Sequence, residues 1–411
     1  MANAFANTAY VSTEILRLLT NKLVIAEMFN TNWNDEFRKD FAVGTSVTLK
    51  KPQRFIARDG MGYSAQDFER QTVTINLDQV FGVDFEWDSF ERLVYLERSE
   101  EELRRNYLEP AANELFQQLE SRAAQFAYLN TPNVFGALGT NPTTVTPFLD
   151  ADARLFDKSA PFDREHRVVI SSKMMASFLG NQTVQFNPSS EIAQQYKKGV
   201  VGMHAGLEWA RSPSLYRHTA GTWAGAVTVN SAGQSGSSLT LACTTGDTFM
   251  RGDHFSILNV NFTNPNTRRV AGANQVQHFV VTQNVTGAAS TATIPIYPAI
   301  VGPGSPYQNV DALPASGAAL TLWPGTSSPN GKAGAVGLVL TNQAFALAWG
   351  KFENPKAVER AEQTRDPQTG ANIAFVRQFD IQERKMKNRF DMCVGFGVLY
   401  ADECAALVVG A

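Results

Sequence analysis

The amino-acid sequence predicts an α+β protein that carries an inserted all-β domain. The prediction depends on a helical period over residues 97–129, a strand period over residues 73–87, and a sharp change of composition over residues 219–336. Helices and strands that each bury one face are expected to share a core, whereas a segment poor in helix formers is expected to fold as strands.

The chain has 411 residues, a formal net charge of −3 at pH 7 and a hydrophobic content of 44%. This length allows two or three domains at roughly 150 residues each. A near-neutral charge disfavours tight binding to nucleic acid or to an anionic membrane. Cys243, Cys393 and Cys404 form no CxxC pair, which disfavours a disulfide framework and a zinc site.

Residues 1–46 predict an N-terminal arm that contains an amphipathic helix. Charged residues such as Glu14 and Arg17 interrupt its apolar positions, so we expect neither a signal peptide nor a membrane span. The charged, turn-rich stretch 50–71 is interpreted as a loop.

Apolar residues occupy every odd position from Val73 to Trp87 except Gln79, and polar residues occupy most even ones. At ~3.3 Å per residue this stretch would reach roughly 50 Å, well beyond a usual strand. We therefore expect a long two-stranded arm within residues 47–88 that projects from the body and finds its partner surface on another molecule.

The helical stretch 97–129 has an apolar residue at every fourth position. Ser99 and Glu102 have the spacing of a capping box, and Thr131 with Pro132 ends the stretch. Pro110 either kinks this helix or begins a second helix in its first turn. The members of the apolar stripe are Leu103, Tyr107, Ala111, Leu115, Leu119, Ala123, Phe126 and Ala127.

The rest of the body predicts alternating short elements. Residues 131–147 are interpreted as a connection, and residues 167–180 as a strand followed by a helix capped near Ser171 or Ser172. Residues 336–352 predict a strand followed by a helix, and two strands close the chain at 375–382 and 392–400.

Residues 219–336 contain no glutamate and few other charged residues. Short β-type runs alternate with Gly, Asn and Pro turns, a pattern typical of a β-barrel or sandwich.

No catalytic constellation is found in the sequence. The five histidines, His166, His204, His218, His254 and His278, have no paired metal spacing, and we interpret them as solvated or hydrogen-bonded structural residues. Gly325–Lys332 departs from a phosphate loop and is interpreted as a turn. Arg251–Gly252–Asp253 matches a tripeptide that some cell-surface receptors recognise, but a glycine-centred turn explains it.

Three charged clusters leave alternatives open. Asp84, Glu86 and Asp88 either hold a hard cation, form a solvated face, or pair with Lys50, Lys51, Arg54 and Arg58 within or between subunits. The run from Arg384 to Arg389 is either a turn between two strands or a charged contact surface. Glu100–Arg105 is interpreted as an exposed helical turn.

The order of these parts resembles the major capsid protein of tailed bacteriophages, the Hong Kong-type capsid fold. Three stretches carry the resemblance: residues 199–222, which end in His-Thr-Ala-Gly; residues 337–355, which contain Ala-Phe-Ala-Leu; and residues 106–119, which contain Leu-Glu-Pro-Ala. The all-β segment is similar to the β-barrel insertion domain of coat proteins from short-tailed phages related to the well-known Salmonella phage.

The resemblance implies a domain scheme of seven segments. These are an N-terminal arm (1–46), an extended β-arm or E-loop (47–88), a P-domain with the spine helix (89–165), the first part of an A-domain (166–218), an inserted β-barrel (219–336), the second part of the A-domain (337–372) and C-terminal P-domain strands (373–411).

The resemblance further implies a non-enzymatic shell protein of the virion, without cofactors. It would form pentamers and hexamers with itself around a scaffolding protein and a portal, bind a decoration protein in some cases, and enclose DNA without reading its sequence. A nanocompartment shell protein of the same fold is an alternative, and a glycan-binding protein that uses Trp223, Tyr297 and Trp323 is a more distant one.

Candidate subunit contacts follow from the charged residues of the arm and of the insertion. Some members of the fold crosslink an E-loop lysine to an asparagine of a neighbouring subunit; the arm tip here offers Arg58 and Asp59 but no lysine, so we expect no such crosslink. The candidate contact residues are Lys50, Lys51, Arg54, Arg58, Asp59, Asp84, Glu86, Asp88, Arg268 and Arg269.

The inserted segment provides a first test. Residues 219–336 expressed alone should unfold cooperatively as an all-β domain, because they are predicted to contain their own core. Circular dichroism during thermal unfolding measures this, and a fragment without a cooperative transition would contradict an autonomous domain.

Overall fold

The structure is a computed structural model that describes most of the chain. The described ranges are 23–31, 46–58, 60–63, 65–67, 71–88, 109–160, 166–182, 203–223, 225–270, 272, 275–322, 331–352, 358, 360–365 and 371–410. The N-terminal helix, the Ser99 capping box, the Glu100–Arg105 turn, most of the Gly325–Lys332 turn and Trp323 lie outside these residues.

The described residues form a short 3-10 turn, four α-helices and twenty-one β-strands. The turn is Ala26–Met28, and the helices are α1 (Glu109–Asn130), α2 (Thr146–Asp157), α3 (Ser172–Gln182) and α4 (Ala401–Cys404). The strands up to residue 261 are β1 (Ser46–Lys50), β2 (Thr72–Asp88), β3 (Asn133–Gly136), β4 (His166–Ile170), β5 (Met203–His204), β6 (Leu207–Arg211), β7 (Arg217–Thr219), β8 (Thr228–Val229), β9 (Gly236–Ala242), β10 (Thr248–Phe249) and β11 (His254–Asn261). The remaining strands are β12 (Val276–Val281), β13 (Val285–Thr286), β14 (Thr291–Ile300), β15 (Leu320–Leu322), β16 (Ala333–Leu340), β17 (Phe345–Trp349), β18 (Arg360–Arg365), β19 (Asn372–Asp380), β20 (Lys385–Val398) and β21 (Ala405–Val409).

The chain divides into two compact units, each built from three separate segments. Unit 1 comprises Met1–Lys50, Thr72–Ala123 and Phe345–Val398. Unit 2 comprises Lys51–Gln71, Ala124–Ala344 and Leu399–Ala411.

Unit 1 contains a six-stranded sheet in the order β1-β2-β20-β19-β18, with β17 also paired to β20. The predicted lone two-stranded arm over residues 73–87 is wrong, because β2 is one continuous strand that pairs with β20 from Asn76 to Asp88. The strand period was interpreted correctly, but the hydrogen-bonding partner of β2 is a distant strand that continues its apolar face, with Val83 opposite Phe390 in the register. Phe85 and Phe390 stack across this pair with ring centroids 5.8 Å apart.

The predicted helix after β16 is also wrong. Phe345–Trp349 forms β17, which pairs with Val394–Val398, and all five of its residues are buried. A short run that is apolar on every side suits a strand covered on both faces as well as a buried helix, and periodicity does not separate the two.

Helix α1 ends before Thr131, as predicted, and Pro110 is its second described residue. Residues 89–108, which would decide between a kink at Pro110 and a new helix, lie outside the described residues. Ala111, Leu115, Leu119, Ala123 and Ala127 of the predicted stripe are buried.

Glu120 is a buried carboxylate on the same helix. It accepts hydrogen bonds from the backbone N–H groups of Val24, Ile25 and Ala26 at 2.9–3.1 Å. Burial raises the pKa of this carboxyl group, and the backbone hydrogen bonds oppose that shift. Glu120 thus fixes the Ala26–Met28 turn to α1.

Unit 2 contains a seven-stranded sheet in the order β3-β21-β16-β4-β6-β5, with β7 paired to β16. The interpretation of residues 131–147 as a connection without regular structure is wrong at β3, which pairs in parallel with β21 through Ala406–Val409. The predicted strand and helix at 167–180 are confirmed as β4 and α3. The Ser171 hydroxyl caps α3 by accepting from the Met174 N–H at 3.1 Å.

The region 219–322 also belongs to unit 2 and is all-β in its described residues, as predicted. Strands β15-β11-β12-β14-β9-β8 form one sheet, and Thr228 bridges to Ala319 next to β15, which closes the sheet into a barrel. Its buried core is apolar and includes Phe249, Phe255 and Phe279.

Replacing Glu120 with alanine should lower the free energy of unfolding by about 3 kcal/mol, since it leaves buried backbone N–H groups without an acceptor. Denaturant unfolding of the monomeric subunit measures the change. Glu114→Ala, at an exposed position of the same helix, is the control and should change it by less than about 0.5 kcal/mol. Equal effects of the two variants would contradict the role of Glu120.

Candidate assembly interface

The anchored loop, residues 51–67, contains four of the predicted contact residues. Lys51 does not reach outward: its Nζ donates a hydrogen bond to the Leu399 carbonyl oxygen and lies 4.6 Å from the centre of the Tyr400 ring. Burial lowers the pKa of Lys51, and the nearby Glu403 carboxylate opposes that shift. Lys51 therefore holds the base of the loop within its own subunit, whereas Lys50 is exposed at the end of β1.

Arg54 provides a second attachment of the anchored loop. Its guanidinium forms an ion pair with the Glu403 carboxylate, and both side chains are partly buried. Such pairs resist salt better than fully exposed pairs, because less solvent separates the charges. Lys51 and Arg54 thus hold the loop to their own subunit, and their contact with a neighbouring subunit stays a prediction.

Gln66 closes the anchored loop on itself. Its Oε1 accepts from the Ile56 N–H at 2.7 Å, and its Nε2 donates to the Ile56 carbonyl oxygen at 2.5 Å. One side chain therefore pairs with both backbone groups of Ile56, as a neighbouring strand would.

Beyond this closure the loop presents large apolar side chains to solvent. Met61 is 100% exposed, Tyr63 is 91% exposed and Phe55 is 56% exposed. The exposed Arg58 donates to the Gly60 carbonyl oxygen within the same turn. Asp59 lies outside the described residues. We call Met61 and Tyr63 the apolar apex of the anchored loop.

The carboxylates of β2 find partners that differ from those predicted. Glu86 accepts from Lys385 Nζ at 2.6 Å, and Asp84 lies 3.7 Å from Arg389 Nε. Asp88 stands opposite Lys385 in the strand register. The predicted pairing with Lys50, Lys51, Arg54 and Arg58 is not observed among the described residues, because β20 brings its own basic residues alongside β2.

Of the run from Arg384 to Arg389, only Arg384 lies in the predicted turn between two strands; the prediction is wrong for residues 385–389, which begin β20. Strands β19 and β20 form a hairpin in which Asp380 pairs with Lys385. Lys387 contacts Asp380 at 2.8 Å and Glu383 at 3.3 Å. These exposed pairs contribute little to stability, but they give the hairpin a mixed charged surface.

Arg268 and Arg269 lie in a turn organised by Asn264. The Asn264 side chain accepts from the N–H groups of Asn266 and Thr267, and donates to the Asp157 carbonyl oxygen at 2.7 Å. The Arg268 guanidinium donates to the Phe55 carbonyl oxygen at 3.4 Å. The structure therefore brings Arg268 to the anchored loop, although the two are far apart in sequence.

The Arg251–Gly252–Asp253 tripeptide forms the predicted glycine-centred turn, with Gly252 at φ +94°. Asp253 is only 1% exposed, so its carboxylate is turned away from any receptor. It contacts His218 Nε2 at 2.8 Å and accepts from the Gly221 and Met250 N–H groups at 3.2 and 2.8 Å.

The His-Thr-Ala-Gly stretch is thereby joined to this turn. A Cβ atom on Gly221 would lie 2.1 Å from the Thr248 carbonyl oxygen, so only glycine fits there. The Tyr128 hydroxyl donates to the Gly252 carbonyl oxygen at 2.8 Å. Residues of α1, β7 and the turn before β11 therefore meet around one buried carboxylate.

The histidines with described side chains are hydrogen-bonded, as predicted. His254 Nε2 lies 2.7 Å from the Thr131 carbonyl oxygen, and burial lowers the pKa of His254 to about 3. His278 Nδ1 accepts from the Val134 N–H at 3.2 Å, and His166 contacts Asp152. Both His254 and His278 are buried and hold β3 and its preceding turn.

The described residues contain no group of three or more His, Cys, Asp or Glu side chains placed to hold a metal ion. In the same part of the chain, no helix is both long and apolar enough to cross a membrane. All three cysteines are free thiols.

Sequence reasoning selected the charged residues and missed the apolar apex. The only local signal is an apolar residue between two glycines, Gly60-Met61-Gly62, followed by Tyr63. Glycines suit an exposed turn. Whether the side chains between them are exposed depends on how the loop is anchored, and its anchoring partners, Leu399 and Glu403, are far from it in sequence.

Comparison with known proteins gives a family and several similar structures. A sequence model of the family described as "P22 coat protein - gene protein 5" matches residues 1–403. Curated protein sequences give no match. A structure from Mycobacterium phage Che8 is similar over 94% of this chain and 90% of its own, with 12% identity and a TM-score of 0.48. The capsid of cyanophage P-SCSP1u is similar over 90% and 85%, with 12% identity and a TM-score of 0.44. The capsid of Ralstonia phage GP4 is similar over 90% and 84%, with 8% identity and a TM-score of 0.44.

Replacing Lys51 with methionine should loosen the anchored loop, because methionine keeps the apolar stem but cannot donate to Leu399. Amide hydrogen exchange of peptides within residues 51–67 should rise roughly tenfold, equivalent to about 1.4 kcal/mol of lost local stability. Lys50→Met, at the adjacent exposed position, is the control and should leave exchange unchanged. The same exchange in both variants would exclude Lys51 as an anchor.

Proposed function

We propose that this chain, which belongs to the P22 coat protein family, assembles its shell through the apolar apex of the anchored loop. The chain is a major capsid protein of a bacteriophage, and it self-assembles into the capsid shell of the virion. The proposal concerns how one subunit holds its neighbour.

The main observation in its favour is a rigidly held loop that exposes large apolar side chains. Met61 and Tyr63 leave most of their surface in water, while Lys51, Arg54 and Gln66 fix the backbone that carries them. Preorganisation of this kind lowers the entropy lost on association. Exposed aromatic and methionine side chains are enriched where proteins bind each other.

Basic residues beside the loop would orient the neighbouring subunit as it binds. Arg58 is exposed on the loop, and Arg268 and Arg269 lie in the turn that contacts Phe55. We expect these cations to face carboxylates of the neighbouring subunit, where rim charges direct encounter more than they add affinity.

The domain scheme from the sequence remains part of the proposal. A closed barrel with its own apolar core supports an inserted domain over residues 219–336. We further propose assembly as pentamers and hexamers of an icosahedral shell, around a scaffolding protein and with a portal, followed by expansion as DNA enters. The scheme also includes a decoration protein as a partner.

Neither alternative function is favoured. The family match is to a phage coat protein, not to a nanocompartment shell protein. For glycan binding, Trp223 is buried and packs against Phe249 at 5.1 Å between ring centroids, which leaves its face unavailable for stacking on a sugar.

The double substitution Met61→Ser and Tyr63→Ser should prevent shell formation while leaving the subunit folded. Each apolar side chain buried at a contact contributes about 1.5–3 kcal/mol, a loss repeated at every contact of the shell. Electron microscopy and sedimentation after coexpression with a candidate scaffolding protein measure the yield of closed shells.

The control is the conservative pair Met61→Leu and Tyr63→Phe, which keeps apolar area and should assemble as the wild type does. Circular dichroism of the subunits verifies the fold of both variants. Normal shells from the serine variant would contradict the proposed contact without affecting the family assignment.

A further inference from the structure

A buried polar cluster in unit 2 has no part in the proposed contact. It is centred on Lys158, the residue directly after α2, whose side chain is only 2% exposed. Lysine is rarely buried so completely, because its ammonium group loses its hydration. The surroundings of its Nζ atom therefore need a chemical explanation.

Two side chains contact the Lys158 amine. Its Nζ lies 2.6 Å from Asp402 Oδ1 and 3.0 Å from Asn133 Oδ1. Asp402 lies in α4 and Asn133 begins β3, so three separate parts of the chain meet here. The Lys158 amine, a nucleophile, is therefore within hydrogen-bond distance of both a carboxamide and a carboxylate that can carry protons, and covalent chemistry between side chains requires such neighbours.

The Asn133 carboxamide is held in one orientation. Asn133 is fully buried, and its Nδ2 donates to the carbonyl oxygens of Asp402 at 2.8 Å and Ala405 at 2.9 Å. Its Oδ1 therefore faces Lys158. Asp402 is itself held by Gln277, whose Nε2 donates to Asp402 Oδ1 at 3.2 Å. Fixed geometry of this kind replaces a bimolecular encounter with an intramolecular one, which accelerates reaction by many orders of magnitude.

The environment of the Lys158 amine also favours its neutral form, which is the nucleophile. Burial lowers the pKa of Lys158 to about 8, and the Asp402 carboxylate opposes that shift. About a tenth of the amines would then be neutral at pH 7, against less than about a thousandth for an ordinary lysine. The apolar side includes Phe262, whose ring centre lies 5.5 Å from Nζ.

We propose that Lys158 and Asn133 form an intramolecular isopeptide bond, with Asp402 transferring the protons. Lys158 reacts as the neutral amine: its Nζ lone pair attacks Cγ of Asn133 while Asp402 accepts one of the two Nζ protons, which gives a tetrahedral intermediate. Asp402 then donates that proton to Nδ2, the Cγ–Nδ2 bond breaks, and ammonia leaves. An amine and a primary amide become a secondary amide and ammonia, without oxidant or cofactor.

Asp402 is the member of the cluster that reaches solvent, with 19% of its side chain exposed. This opening provides a route by which ammonia can leave. Loss of the ammonia to bulk water makes the step effectively irreversible.

The bond would join residues that are 25 positions apart in one chain. It differs from an E-loop crosslink, because it links no two subunits and forms without assembly. It would tie β3 to the end of α2, and would close a covalent ring around the segment that contains α2.

Peptide mapping of the full-length protein by mass spectrometry tests the proposal. The peptides that contain Asn133 and Lys158 should be recovered as one branched species, lighter than their sum by one ammonia molecule. Asp402→Asn should give the two peptides separately at their full masses. Asp157→Asn is the matched control, since the Asp157 carboxylate accepts from Gln275 at 3.3 Å, and the bond should form in it.

Recovery of the wild-type peptides separately and unmodified, from protein shown to be folded by circular dichroism, would overturn the proposal. That result requires no variant, so it holds even where Asp402→Asn fails to fold. A branched species in Asp402→Asn at the wild-type level would exclude Asp402 as the proton carrier.

Discussion

The antiparallel pairing of β2 with β20 is the constraint on which unit 1 depends. These strands are about 300 residues apart in sequence, yet they pair from Asn76 with Phe396 to Asp88 with Lys385. β20 also pairs with β17 and β19, so it is the common partner of the sheet. Glycines at 395 and 397 let β2 approach, since a Cβ on Gly397 would lie 2.6 Å from Ile75 Cγ1. A strand that is close to β2 in sequence could not replace β20 in this pairing.

Local signals in the sequence predicted most elements but not their partners. The alternation from Val73 to Phe85 gave the correct strand and the correct buried face, yet it contains no information about β20. The Ser171 cap and the end of α1 were predictable because caps and proline act within one turn. Phe345–Trp349 was not, because five consecutive buried residues fit a strand or a helix, and only the tertiary partner decides between them.

In the candidate site too, local properties were predictable from the sequence and tertiary partners were not. Lys51 and Arg54 looked like outward contacts because they are charged residues in a loop, whereas their partners, Leu399 and Glu403, lie near the other end of the sequence. The apolar apex was missed because Met61 and Tyr63 are apolar or aromatic residues, which a fold is expected to bury. Charge and hydropathy predict average burial, and a surface made for assembly departs from that average.

The interleaved arrangement of the two units has a consequence for synthesis on the ribosome. Strands β20 and β21, which pair within unit 1 and unit 2 respectively, are translated after every strand they contact. In the nascent chain, β2, β3 and β16 therefore each keep one strand edge without its hydrogen-bonding partner until the last strands emerge. Exposed strand edges of this kind promote aggregation. The barrel of residues 228–322 is continuous in sequence and can close earlier. Aggregation during that interval would compete with folding for the subunits that the shell needs.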